Sequence, residues 1–473
     1  MSDTTLVQRL ATFATDARDI GVPDLVATDA TGRLLDTLGN AYAAFATKEG
    51  EGDEPWQSVR SLVMQWGGTP ESAAIGVAGR LPAPSAALLN GTLAHSLDFD
   101  DTHLPSVLHP SASVVPAVLA AADANGTSGR DTLIAIAVGD EICNRLGMGS
   151  YDPSIRNSIF FEHGLHATSI CGTIGASAAV ALLLGLDDDG VAHAMAIACS
   201  MGAGLIEANR TGGTVKRVHC GWAAHAAVIS AQMAQAGITG PPTVLEGRFG
   251  FYEALSRSWH DAEAIVGGLG ERWELLRTFY KPYPSNHFTH AGIDAAIAMR
   301  TVHGVDPSDI VSMELGLPMP VLRSIAEPRA EKIRPKSGYH AKFSGPFTVA
   351  TALLGGGGLG VYLDDFTDAN TTDPERLRLA AAVTCVADEQ CTEIFPHQFP
   401  AVLRVTTKRT TTIEHRVSVN RGGPQNPLSL DELGVKFSLN AIRALSGDRV
   451  AALHHAVRAL ATHEAPLELP TVT

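Results

Sequence analysis

The chain has few cysteines and no pattern among them. Cys143, Cys171, Cys199, Cys220, Cys385 and Cys391 are the six in 473 residues; they form no CxxC pair, and most lie inside apolar runs. They read as buried thiols of a reducing, cytoplasmic protein rather than as a zinc site or a disulfide framework. Basic residues are also in deficit, since 35 Lys and Arg against 50 Asp and Glu leave a formal charge of −15. Phosphate contact needs a concentrated positive face, so nucleic acid and anionic membrane are not expected as partners. No HExxH, EF-hand, GxxxxGK[ST] or GxSxG motif is present, which removes the usual signatures of zinc proteases, calcium sensors, P-loop enzymes and serine hydrolases. The run GGGGLG at 355–360 satisfies the letters of GxGxxG. It follows a predicted helix, however, and lacks the strand-turn-helix frame of a pyrophosphate cradle. The first residues, MSDTTLVQRLATFATDARD, carry acids early and no sustained apolar core, so they do not read as a secretory signal.

Apolar residues make up 45% and charged residues 18%, the composition of a packed globular protein. One stretch, Ala167 to Leu186, is uncharged for twenty residues, long enough to span a bilayer. Its first half is Gly, Ser, Thr and Ala and three aspartates follow it, so a buried helix of a soluble protein is expected. The length predicts more than one domain. From Asp24 to about Leu255 the pattern is helical, with alanine and glycine on several faces of each helix. Such helices pack closely, and a homodimer interface is expected among them. After Phe279 the texture changes to mixed segments: a strand at IVSMELGL, helices at GPFTVATALLG and PERLRLAAAVTCV, and paired strands in AVLRVTTKRTTTIEHRVSV bounded by Gly422 and Gly423. Helix returns from Leu430 to Thr462. The expected fold is mostly α with an α+β second domain, divided as 1–274, 275–424 and 425–473.

Four segments concentrate groups that can do chemistry. In HSLDFDDTHLPSVLHP, His95, Asp98, Thr102 and His109 stand near a turn broken by two prolines. The set can be a metal site, an acid/base site or a capped loop; the irregular spacing disfavours metal. FEHGLHATS places His163 and His166 at the entrance of the apolar helix, where a neutral imidazole or an anion can be held. TVKRVHCGWAAH offers Lys216, Arg217 and His219 at another helix start, equally readable as a surface basic cluster. In FYKPYPSNHFTH, two prolines keep helix away from Lys281 and stiffen the loop that presents it, with Asn286, His287 and His290 following. Carboxylate, imidazole and amine groups without a redox motif or an activated Ser or Cys suit proton chemistry beside a carboxylate: elimination, decarboxylation or epimerisation.

The ordered motifs NGTLAHSLDFDDTH, HPSASVVPAVLA, GLHATSICGTIGASAAVALLLGL, VKRVHCGWAAHAA, LEGRFGFYEAL, KPYPSNHFTHAGIDAA, AKFSGPF and NPLSLDELGVKF run through nearly the whole chain, and on them it resembles the MmgE/PrpD family. That family includes 2-methylcitrate dehydratase, cis-aconitate decarboxylase and iminodisuccinate epimerase. The resemblance implies a large all-helical domain formed by both chain ends, a smaller inserted α+β lid, and a cleft between them that works without metal or organic cofactor. It implies a small carboxylic-acid substrate. By motif, Asp98, Thr102, His109, His166, Lys216 and Lys281 match the family's active-site positions. His109, His166, Lys216, Lys281 and Asp98 are expected to be catalytic, and Thr102, Arg217, Asn286 and His287 to bind substrate. In the decarboxylase branch a histidine follows the lid lysine by five residues; here that position is Asn286, with His287 beside it.

Overall fold

Alanine and glycine dominate the helix faces of the first two hundred residues, and small side chains let helices approach until their backbones almost touch. The computed structural model describes residues 4–47, 55–208, 213–409 and 412–472. The chain separates into two units, one made of Met1–Thr278 with Phe437–Thr473 and the other of Phe279–Lys436. The architecture is mostly helical with an α+β second unit, as the sequence patterning indicates.

The first unit is built from α1 (Leu6–Ile20), α2 (Asp24–Phe45), α3 (Pro55–Trp66), α4 (Ala83–His95), α5 (Ser111–Asn125), α6 (Gly129–Gly149), α7 (Ala167–Leu183), α8 (Asp188–Cys199) and α9 (His219–Gln235). Caps mark the ends: Ser128 accepts from the Asp131 N–H at 3.1 Å and Asp187 from the Gly190 N–H at 3.0 Å. The uncharged run beginning at Ala167 is a helix, buried from Ala167 to Leu182. Among the described residues no helix is long and apolar enough to cross a membrane. Helices α4, α5, α6, α7 and α9 pack side by side around a core that includes Val114, Val138, Ile142, Ile174 and Val180, all fully buried. A very close approach joins α4 and α9, where a Cβ on Gly221 would lie 2.2 Å from the Leu88 carbonyl oxygen and one on Gly91 2.8 Å from Gly221 Cα. Only glycine fits both positions. The C-terminal residues return to this unit, and Asn440 Nδ2 donates to Asn40 Oδ1 at 3.0 Å.

In the second unit a four-stranded sheet is covered by helices. Strand β1 (Ile310–Leu317) pairs in parallel with β2 (Val383–Ala387) and antiparallel with β3 (Ala401–Thr407), which pairs with β4 (Thr412–Val417) to give the order β4-β3-β1-β2. Helices α10 (His290–Thr301), α11 (Gly345–Leu354) and α12 (Pro374–Ala382) supply Ile293, Phe347, Val349 and Leu379 to a core shared with Leu315 and Leu403 of the sheet. Here the structure departs from the pattern reading. PERLRLAAAVTCV is not one helix: α12 stops at Ala382, and Val383 begins a strand. The β-branched Val383, Thr384 and Val386 favour the extended form, and β1, far away in sequence, provides the ladder that fixes it.

Candidate active site

In the first unit the residues singled out from the sequence converge at helix ends. His95 is the last residue of α4, His109 stands two residues before α5, His166 is the N-cap of α7, and His219 opens α9. The rings form a row: His109 to His95 is 5.3 Å between centroids, His95 to His166 5.8 Å, and His166 to His219 5.1 Å. Three helix N-termini and one C-terminus therefore meet within a few ångströms. N-termini disfavour positive charge and attract anions, whereas a C-terminus favours a cation.

His95 follows that rule. Its Nδ1 lies 2.6 Å from Asp100 Oδ2, and both residues are 2% exposed. Burial opposes a charge on the ring, but the Asp100 carboxylate, with Cys220 contributing, overrides it and pushes His95 up to about 10. Burial drives His166 the other way, well below the ordinary histidine range, with Lys216, His95, His219 and His109 adding to the effect. Burial also brings His219 down to about 4, reinforced by His95 and Lys216. His166 Nδ1 and His219 Nδ1 are 3.0 Å apart, so one of the two nitrogens carries the shared hydrogen.

His109 is held by the backbone. Its Nδ1 donates to the Asp101 carbonyl at 2.5 Å, with Thr102 Oγ1 at 3.3 Å and Asp100 Oδ2 at 3.9 Å. A ring whose Nδ1 keeps its hydrogen exchanges protons at Nε2. The Thr168 hydroxyl receives the His109 N–H at 3.1 Å and ties the residue to α7.

Below His109 lies a largely buried polar network. Arg33 of α2 bonds Asp29, the Thr278 carbonyl and Asp101, the last at 3.2 Å. The Ser111 hydroxyl contacts Asp101 at 2.5 Å and Asp140 at 2.8 Å. A hydroxyl can donate to only one carboxylate, so one of the two acids carries a proton. Burial raises Asp101 to about 6 against the pull of Arg33, and raises Asp140 well above its ordinary value with Asp101 adding to the rise. This network anchors the Asp101 backbone whose carbonyl fixes His109.

Of the expected residues in this unit, the structure brings His109, Thr102, His166 and Lys216 together. Asp98 lies in the connection after α4, buried, with a left-handed backbone (φ 55°) that is unusual for a residue with a side chain. Lys216 and Arg217 sit half-buried on a 3-10 turn, Val215–Val218, that leads into α9. His163 is exposed and bonds the Leu255 carbonyl, and His103 is occupied by Ser106 and Glu274. Both are structural. His95, Asp100 and His219 belong to the cluster although the motif correspondence did not assign them. Among the described residues, no group of three or more His, Cys, Asp or Glu side chains could hold a metal ion.

In the second unit Lys281 is buried on a proline-bounded loop. Gly422 (φ +99°) lets the neighbouring segment approach so closely that a Cβ there would meet the Tyr280 carbonyl oxygen at 2.1 Å, and the Tyr280 N–H donates to the Gly422 carbonyl at 2.9 Å. Asn286 caps the turn that follows, its Oδ1 accepting from the Phe288 N–H at 3.0 Å. The His287 ring lies 4.5 Å from that of His290, with Phe279 and Phe399 at its edges. Lys342, buried, comes from the AKFSGPF motif, and its carbonyl accepts the Asn286 N–H at 3.0 Å. A lysine inside an apolar motif is the signal that could have marked it.

A mostly helical unit with an imidazole and amine cluster at its helix ends, in one chain with an α+β unit that holds a buried lysine, has the fold expected of an MmgE/PrpD protein. The models of the MmgE/PrpD N-terminal and C-terminal domains match residues 8–263 and 283–462, and the chain belongs to that family. It is similar to human cis-aconitate decarboxylase, with 30% identity over 447 residues covering 90% of this chain and 86% of the relative. The mouse cis-aconitate decarboxylase is 29% identical over 427 residues, 89% and 83% of the two chains. The cis-aconitate decarboxylase-like protein oryM of Aspergillus oryzae is 26% identical over 407 residues, 82% of each. These relatives support a lyase.

Proposed function

We propose that the protein is a lyase that removes a carboxyl group from a small polycarboxylate, with cis-aconitate or a close analogue as the first candidate substrate. The observation that carries this reading is the row of imidazoles at three helix N-termini beside Lys216: a place where a carboxylate is attracted and a neutral histidine is within reach of it. The similarity to proteins named as decarboxylases supports the choice among lyases.

In this reading Lys216 and Lys281, with Arg217, bind the substrate's carboxylates, and Asp98 and Thr102 orient the groups around them. Cleavage of the C–C bond releases carbon dioxide and leaves its electron pair on the substrate carbon, spread toward the remaining carboxylates. A proton from His109 Nε2 fills that position. His166, kept neutral by burial and its cationic neighbours, hydrogen-bonds the substrate without bringing in a second charge, and takes up a proton where the reaction demands one. The lysines lower the cost of the carbanion-like state by proximity of charge. Asn286 and His287, which follow the Lys281 loop, are the further residues assigned to substrate binding in this reading.

A second reading, dehydration or epimerisation at the same carbon, is favoured by one residue. Asn286 stands where the decarboxylase branch has histidine, and its Oδ1 is engaged in capping the turn at Phe288. Incubation with cis-aconitate, citrate-like acids and aminodicarboxylic acids in deuterated water separates the readings. Carbon dioxide release with one deuterium in the product is the expected result. Deuterium uptake without loss of carbon dioxide or water assigns epimerisation, and loss of water assigns a hydro-lyase.

A further inference from the structure

The cluster contains a pair of residues that the proposed reaction does not yet use. His95 closes α4 and Asp100 lies five residues on, beyond the left-handed backbone at Asp98 that turns the chain back. The two side chains meet at 2.6 Å in full burial, with the His95 ring between those of His109 and His166. Asp100 Oδ2 is also 3.9 Å from His109 Nδ1. A single carboxylate thus stands between two imidazoles, and the inner imidazole stands between the two rings assigned to the substrate.

We infer that His95 and Asp100 act as a positioning pair for this reaction, packed behind the His109 and His166 rings and fixing their place. The inference rests on the reading above and goes further in assigning residues that touch other side chains rather than the substrate. Among the described residues, His95 is faced by Asp100 from the following loop, His109 ahead of α5, His166 at the head of α7, and His219 and Cys220 in the first turn of α9. Of these Asp100 is the carboxylate, and it is in contact at 2.6 Å. The ring is pushed up to about 10 and so carries its proton through the working range. That proton has two consequences. A buried cation within the row adds to burial and Lys216 in keeping His166 neutral. It also strengthens the field that draws a carboxylate to the N-termini of α5 and α7. Loss of the pair should therefore lower turnover and change its pH dependence while leaving carboxylate capture by the lysines largely in place.

The test uses the full-length protein, in which 18 histidines can be labelled with nitrogen-15. In the wild type one imidazole should remain doubly protonated at pH 8.5 to 9, where ordinary histidines are neutral. Asp100→Asn should abolish that signal, and His95→Gln should remove it. On cis-aconitate, or whichever acid of the panel the wild type turns over, both variants should lose about 10²-fold in kcat, the scale of a misplaced proton-transfer group. KM should change less than about threefold, and the acid limb of the kcat profile should move upward because His166 loses one of the positive charges that, with burial, hold it down. A wild-type spectrum with no protonated ring at pH 8.5 overturns the inference even when the substitutions prevent folding, and so does a folded His95→Gln protein with wild-type kcat and pH profile. If the wild type turns over none of the acids while the protonated ring is present, the proposed reaction fails and the charged pair stands.

Discussion

Gly221 of α9 lies against Gly91 of α4, so close that a Cβ on Gly221 would come within 2.2 Å of the Leu88 carbonyl oxygen and 2.3 Å of Thr92 Oγ1. This contact sets how far α9 can approach, and with it where His219 and Cys220 stand relative to His95. Gly221→Ala should destabilise the protein by about 1–3 kcal/mol through overpacking and should lower kcat as well, because the row of imidazoles is displaced. Thermal unfolding and turnover of the same preparation check this. An unchanged melting temperature would show that the helices do not meet as described.

Stability should depend on pH from two sides. His95 has a folded value of about 10, above the ordinary 6.5. Its contribution is fully present below pH 6.5 and is lost as pH rises through 10. His219 has a folded value of about 4, below 6.5. Its contribution is present above 6.5 and is lost as pH falls through 4. Urea unfolding at pH 5, 7 and 10 should therefore give the highest midpoint at pH 7. His95→Gln should flatten the alkaline fall, and a variant that keeps the full wild-type fall above pH 8 would remove His95 as its cause.

The lysines should separate from the imidazoles in kinetics. Lys216→Met and Lys281→Met should each raise KM for a polycarboxylate by about 10-fold or more, corresponding to about 1.4 kcal/mol of lost binding per site. A monocarboxylate that still turns over should show a smaller effect. Equal KM for wild type and both variants would detach these lysines from substrate binding.

Gly422 provides a test from the second unit. Its φ of +99° and its closeness to the Tyr280 carbonyl mean that Gly422→Ala must shift the loop that carries Lys281. The expected outcome is a raised KM at a modest cost in stability, measured by comparing steady-state kinetics with thermal unfolding. A protein with unchanged kinetics would show that the position of Lys281 is unimportant.

Much of this arrangement was legible in the residues. His109, His166, Lys216 and Thr102 lie in motifs whose order along the chain identifies the family, and caps and glycines marked the helices. The His95–Asp100 contact was not legible as a pair, because it needs the positive φ at Asp98, which neither composition nor periodicity signals. The place of His219 depends on the glycine contact between α4 and α9, and 129 positions separate Gly91 from Gly221 in sequence. The strand Val383–Ala387 was hidden for a related reason. It continues an apolar run that also suits a helix, and only its pairing with Ile310–Leu317 decides the matter.

The central claim is that a histidine held by a backbone carbonyl at its Nδ1 passes a proton through Nε2 at the helix-end cluster. It is tested most directly by kcat of His109→Ala, in protein verified as folded by circular dichroism, on the acid that the wild type decarboxylates in deuterated water. The account predicts a fall of about 10²–10⁴-fold with deuterium incorporation slowed in step. A folded His109→Ala protein that releases carbon dioxide at the wild-type rate would contradict it.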